Sequence, residues 1–215
     1  MSFSDFYRLI TVRTGPAVST FTSESVPEYD SQLWDFGDRE LLSLRRFPSV
    51  SLYRYMVYLR HHRFPSPLLD WSRSPYVAAF FAFQEARGGE KRSIYTYCET
   101  PDGVTGGTVG EPTIRPLGPY VRGHRRHFLQ QSNYTICGSL DARNEWRFHP
   151  HEHVFDQGRP NQNLLWKFDI PSGERFRVLR LLNDYNLNAF SLFDSEEALL
   201  ETMWLREQVL RKRNP

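Results

Sequence analysis

Cysteine is nearly absent from this chain: Cys98 and Cys137 are the two in 215 residues. They stand far apart in apolar and aromatic surroundings, without the close spacing of a zinc or redox pair. A reducing compartment suits them, and a single disulfide between them stays open as an alternative. An excess of charge of one sign is missing as well. Lys and Arg number 27 and Asp and Glu 25, for a net charge of +2. That balance is too weak to imply nucleic acid by itself. No run of apolar residues approaches the 18 or so that a membrane helix needs. The start, MSFSDFYRLI, lacks a charged segment followed by a long apolar one, so no signal peptide is expected. The expected setting is therefore cytoplasmic, with no membrane partner. Also missing are a Walker loop, a Rossmann glycine fingerprint, GxSxG, HExxH and paired CxxC, which removes many ordinary enzyme classes.

Aromatic side chains are abundant, with 16 Phe, 11 Tyr and 5 Trp. Each buries a large area and suits a core or a ligand-stacking wall. A chain of this length hides roughly 70% of its unfolded surface, so it can build a substantial core. Residues 1–44 read as irregular, with Phe3–Val12 a strand or short helix and 17–32 a loop; the segment is expected to be divergent or mobile. Leu52, Tyr55, Met56 and Leu59 recur at i, i+3, i+4 and i+7, which predicts an amphipathic helix over 49–63. Pro65 and Pro67 exclude a helix next, so Leu68 and Leu69 read as a short buried strand. Ser74 followed by Pro75 is a helix start, and VAAFFAF predicts a helix buried all round that ends at Gly88 and Gly89. Strands are expected at 93–98, 134–137, 164–170 and 189–193. A long loop is expected at 100–123, and a helix with Val178, Leu181, Leu182 and Tyr185 on its apolar face. The last helix is expected to start at Asp194, with Glu197 closing a capping box. Strands and helices mix without a βαβ rhythm. That predicts a single α+β domain over 45–215, with a mixed or antiparallel sheet, whole or split, and packed helices.

Four segments carry chemistry. Asp70, Trp71 and Ser72 end a strand just before a capped helix, where polar groups and free N–H donors suit an anion or a ribose. Their plainer role is turn, cap and core. Between Arg122 and Cys137, basic residues including Arg126 precede Gln130 and Gln131. Such a run can hold a phosphate and a nucleobase, or form a solvated basic loop. His149, His151 and His153 would share one face if extended, a spacing that suits a divalent metal, although no fourth ligand is specified. No metal is expected on that ground. Near the C-terminal helix start, Glu196 and Glu201 are carboxylates with no structural task, and so candidate catalytic groups.

The stretch Leu68-Leu69-Asp70-Trp71-Ser72-Arg73-Ser74-Pro75, continued by Tyr76–Phe83, resembles the signature of the FRG-domain family. Arg126-His127-Phe128-Leu129-Gln130-Gln131 and Leu192-Phe193-Asp194-Ser195-Glu196-Glu197 are similar to further motifs of it. Phe64 and Ser66 replace the family's usual Gly and Thr, and Val12-Arg13-Thr14-Gly15 is the nearest counterpart of the triplet that names it. In motif order the family is similar to ADP-ribosyltransferases. The resemblance implies NAD as cofactor, with Arg13 on its pyrophosphate, Ser72 on its ribose and Glu196 or Glu201 as the late carboxylate. Asp70 joins the catalytic set, and Trp71, Arg126 and Gln131 the nucleotide-binding one. The implied role is a nucleotide-using effector of toxin or phage-defence type acting on a protein target. The alternatives are a non-catalytic module for a nucleotide or nucleic acid, and a protein-interaction or sensor domain.

Overall fold

A computed structural model describes residues 1–22, 24–28, 49–86, 88–99, 101, 110–118, 125–142, 145–155 and 163–211. The chain divides into two compact units. One comprises Met1–Leu69, Thr100–Gly123 and Thr135–Asn163, the other Asp70–Glu99, His124–Tyr134 and Leu164–Pro215. The elements are helical and antiparallel, as an α+β class requires. A four-stranded sheet has the order β1-β4-β3, with β5 also on β4, and β2 and β6 form a separate ribbon.

The first unit opens with α1 (Phe3–Arg8), one π-helical turn (Leu9–Arg13) and α2 (Gly15–Phe21). Ser2 caps α1 by accepting from the Asp5 N–H at 3.2 Å. The irregular segment expected over 1–44 is therefore helical from Phe3 to Phe21. Phe3, Phe6, Tyr7 and Ile10 are buried, at the i, i+3, i+4, i+7 spacing of one helix face. Residues 29–48 lie outside those described. The helix expected at 49–63 is α3 (Val50–His61), with Leu52, Tyr55, Met56 and Leu59 buried. The Tyr55 hydroxyl donates to the Ile10 carbonyl at 3.2 Å, which joins α3 to the π-turn. Burial pushes that phenol up to about 12.

The loop expected at 100–123 contains a strand, β3 (Thr113–Pro116). It pairs with β4 (Ser132–Leu140), which is longer than expected and also pairs with β5 (Trp146–Phe148). At Gly138 an added Cβ would run into the Trp146 ring and come within 2.8 Å of the Arg147 carbonyl, so only glycine fits. Phe148 receives Phe3 and Phe6 edge-on, with ring centroids 6.0 and 5.6 Å away.

The histidine run is not extended, because α6 (Glu152–Phe155) begins inside it. His149 Nε2 lies 3.0 Å from Ser139 Oγ, and His151 Nε2 lies 2.8 Å from Thr135 Oγ1. Each imidazole is thus committed to its own hydroxyl on β4. No group of three His, Cys, Asp or Glu suited to a metal occurs among the described residues. Cys137 lies between those hydroxyl residues, buried, and burial pushes its thiol up to about 12. Both cysteines are free thiols.

In the second unit, β1 (Leu68–Ser72) delivers its last three residues to α4 (Pro75–Phe83). Ser74 caps α4 as expected, accepting from the Val77 N–H at 3.3 Å. The far end is closed by an arginine, not by Gly88 and Gly89. Arg175 donates from Nε to the Phe83 carbonyl at 2.9 Å and from Nη2 to the Gln84 carbonyl at 2.8 Å, meeting carbonyls that the helix leaves unsatisfied. Val77, Phe80 and Phe83 form a core with Leu179, Leu182, Ala189, Leu192 and Ala198. Tyr76 and Phe81 are exposed, so α4 is buried on one side and not all round.

The ribbon of β2 (Lys91–Cys98) and β6 (Leu164–Pro171) places Trp166, Phe168 and Ile170 on one face, as their alternation predicts. Only Ile170 packs on the core, while Trp166 and Phe168 stay exposed. Helix α7 (Arg175–Asp184) buries Leu179 and Leu182 and leaves Leu181 and Tyr185 outside, so its inner face is rotated from the expected one. The strand expected at 189–193 is a helix, α8 (Ala189–Phe193). Asn188 and Ser191 close a reciprocal capping box ahead of it. Helix α9 runs Glu196–Arg211.

Two outcomes follow for the first unit. Gly138→Ala lowers its stability by about 1–3 kcal/mol in urea unfolding, since the indole or the strand must shift. Burial also holds the His149 and His151 imidazoles below the usual histidine range. The unfolded chain then binds these protons more readily than the folded one. Stability is full above about pH 6.5 and falls as the pH drops through the depressed folded values. Thermal melts at pH 7.5 and 5.0 show the loss, and the double variant His149→Gln, His151→Gln shrinks it.

Candidate functional site

The second unit brings together the three segments that resemble family motifs, and a five-residue helix, α5 (Arg125–Leu129), is the link. At its C-terminal end the chain turns through Gln131, whose φ of 48° is left-handed. The Gln130 carbonyl accepts the Ser72 hydroxyl at 2.8 Å, and the Gln131 carbonyl accepts the Arg73 N–H at 3.0 Å. Ser72 also accepts the Ser74 N–H at 3.1 Å, so its hydroxyl serves both the turn and the start of α4.

The other side of α5 holds the junction between α8 and α9. Gln130 Nε2 donates to the Leu192 carbonyl at 3.1 Å, and Arg126 Nε donates to the Phe193 carbonyl at 3.0 Å. The Arg126 guanidinium also sits 5.6 Å from the centre of the Phe193 ring, within cation–π range. Arg125 pairs with Asp194 at 2.8 Å. These contacts hold the sharp turn at Asp194, which is left-handed at φ 51°. The last helix therefore starts after Asp194. Ser195 is its capping side chain, accepting from the Ala198 N–H at 3.3 Å, and Glu197 is not the capping-box glutamate. The Glu197 carboxyl is held below the usual range by its own backbone N–H first, then by the Ser195 hydroxyl and by Arg126.

Each candidate from the sequence has a place. Asp70 is exposed on β1 beside Trp71, which is half-buried with its ring 5.3 Å from Tyr97. Ser72 is engaged by backbone, as are Nε of Arg126 and the carbonyl of Gln131, whose side chain is exposed. Glu196 is exposed in the first turn of α9. Glu201, a turn and a half further on, is apart from this junction in its contacts. Gln84 Nε2 donates to it at 3.1 Å on the rim of a cavity of about 240 Å³ that Arg175, Leu179 and Trp204 also line. Arg13 belongs to the first unit, where it ends the π-turn. Gly15 follows, and its absent Cβ would come within 2.8 Å of Val26. Arg122 lies outside the described residues.

Tyr97 takes part without having been expected, and Asp194 does so as a left-handed turn and not as the start of the last helix. Tyr97 reads as one more alternating strand residue, and no local signal marks Asp194 as left-handed. Together the unit carries an aromatic pair, exposed carboxylates and guanidinium groups.

The FRG domain family model matches residues 12–91 of the chain. The resemblance read from the Leu-Leu-Asp-Trp-Ser stretch is thereby borne out, and the match begins at Val12, so it takes in Arg13 and Gly15. The motifs on α5 and at the α8–α9 junction lie beyond the matched residues. No curated protein and no solved structure matches the chain.

Ser72→Ala removes one hydrogen bond to Gln130 and one from Ser74. It lowers the stability of the protein by about 1–3 kcal/mol in chemical unfolding.

Proposed function

We propose that the second unit is the nucleotide-handling centre of an ADP-ribosyltransferase-like effector that uses NAD. One observation carries this reading: Ser72 and Arg73 bind the end of α5 while Arg126 and Gln130 bind the α8–α9 turn. Three segments far apart in sequence are thereby fastened around one short helix, with polar side chains left on the outside. Asp70 and Glu196 supply carboxylates for the ribose hydroxyls and for the positive charge that develops as the glycosidic bond breaks. Nicotinamide leaves with the bonding electron pair, and a nucleophile on the acceptor forms the new bond to C1′. Trp71, beside Tyr97, stacks on a ring of the nucleotide, while Arg126 and Gln131 face its phosphates. Ser72 acts as a positioning residue here, because its hydroxyl already serves two backbone groups. A toxin or phage-defence protein acting on a protein target suits such a centre.

The ribbon favours a second reading. One face of it carries exposed Trp166 and Phe168 with Arg92, and the other carries exposed Tyr95 with Lys91 and Lys167; aromatic and basic residues together suit stacking and neutralising single-stranded nucleic acid without catalysis.

Calorimetry with NAD, together with an assay for released nicotinamide, separates the two. NAD binds and is turned over. Asp70→Ala and Glu196→Ala each lower turnover on the order of 100-fold while moving the melting temperature by less than about 2 °C. Absence of both NAD binding and nicotinamide release sinks the transferase reading. Binding of a short RNA that weakens steeply with salt would then support the second.

A further inference from the structure

The cavity of about 240 Å³ beside Glu201 lies within the second unit, where α4, α7, α8 and α9 meet. Among the described residues, none of those assigned to the nucleotide lines it. Much of its wall is apolar. Phe80, Leu179 and Ala189 are buried core residues, and Leu205 and the exposed Trp204 complete the lining. At the ~30 Å³ that a water molecule occupies, the space holds about eight non-hydrogen atoms, too few for a nucleotide.

Two opposite charges share this space, and each is already held in place. Arg175 spends Nε and Nη2 on the Phe83 and Gln84 carbonyls, and its guanidinium lies 5.2 Å from the centre of the Phe176 ring. A guanidinium has five N–H donors in a fixed fork. Both N–H groups of Nη1 and the second of Nη2 remain, the end-on set that grips a carboxylate with two parallel bonds. Burial, with Arg92 nearby, lowers this guanidinium from the ordinary arginine range, and the Glu201 charge offsets part of the shift. An arriving carboxylate therefore meets a cation without a full counter-charge. Glu201 accepts from Gln84 Nε2 through both oxygens, at 3.1 and 3.4 Å, and keeps lone pairs for a further donor. Among the described ion pairs there is none between Arg175 and Glu201, so a ligand can bridge them.

We propose that this cavity binds a free α-amino acid with an aliphatic side chain of about the size of leucine. Its carboxylate pairs with Arg175, its ammonium group with Glu201, and its side chain fills the space between Phe80, Leu179 and Trp204. The local charges select the class of ligand. A plain anion is repelled by Glu201 and a plain cation by Arg175, whereas a zwitterion satisfies both. The bonds that Arg175 and Glu201 already make hold both groups ready, so little ordering is lost on binding. This binding does not depend on whether the unit uses NAD.

Calorimetric titration of the full chain with L-leucine over about 0.01–10 mM tests it, a range set by the few atoms such a ligand offers. Leucine binds saturably. N-acetyl-leucine, which lacks the ammonium group, and leucinol, which lacks the carboxylate, each bind on the order of 10–100-fold more weakly. Glycine, without a side chain to bury, loses a factor on the order of 10 or more. Glu201→Gln weakens leucine binding on the order of 10-fold or more. Its melting temperature stays within about 2 °C of the wild type, because the side chain is exposed. The analogues leave the protein unaltered, so their outcome does not rest on how a variant folds. Absence of leucine binding at the highest concentration overturns the proposal. So does N-acetyl-leucine or leucinol binding as tightly as leucine, or Glu201→Gln with wild-type affinity.

Discussion

The Ser72 hydroxyl stands at the point on which the second unit depends. It gives its proton to the carbonyl at the end of α5 and takes the N–H of Ser74, the residue that caps α4. One small side chain therefore fixes the exit of β1, the entry of the buried helix and the position of α5. Through Arg126 and Gln130 the same helix fixes the carbonyls of Phe193 and Leu192, and so the turn from which α9 departs. None of these bonds is strong alone. Each satisfies a backbone group that a turn or a short helix leaves without a ladder partner, and losing one would leave that group to water or to nothing.

Two half-buried arginines serve the same purpose. Arg175 spends two N–H directions on the last carbonyls of α4, and burial shifts its guanidinium below the ordinary arginine range. Arg126 combines one backbone bond with a face of Phe193. Planar guanidinium groups suit both tasks, because they fit carbonyl pairs and lie flat on rings. Asp70 and Glu196, by contrast, are exposed carboxylates. In the first unit the analogous fastening is done by neutral pairs, His149 with Ser139 and His151 with Thr135, which makes that unit sensitive to acid.

Much of this architecture was legible in the residues. The spacing of Leu52, Tyr55, Met56 and Leu59 predicted α3, and Ser74-Pro75 predicted the start of α4. The Leu-Leu-Asp-Trp-Ser stretch pointed to the FRG domain that matches residues 12–91. These signals are local: a period, a cap, a proline, a contiguous motif. Short segments were harder. Ala189–Phe193 alternates like a strand, yet Asn188 and Ser191 cap it as a helix whose inner side chains meet α4 and α9. Phe3–Arg13 gains its helical form with Phe3 and Phe6 against Phe148 and Ile10 bonded to Tyr55, partners distant in the sequence.

By itself the sequence determined where long helices lie, where the first motif sits and which polar residue types surround it, because propensity and capping act within a few residues. The tertiary structure alone decided which side of each helix is inside. Leu181, Leu200 and Trp204 are as apolar as Leu179 and Leu182, yet they face outward. It also decided that particular polar groups, Ser72 among them, are engaged by the backbone. Burial and hydrogen bonding between distant segments depend on the whole fold, and no window of neighbouring residues contains that information.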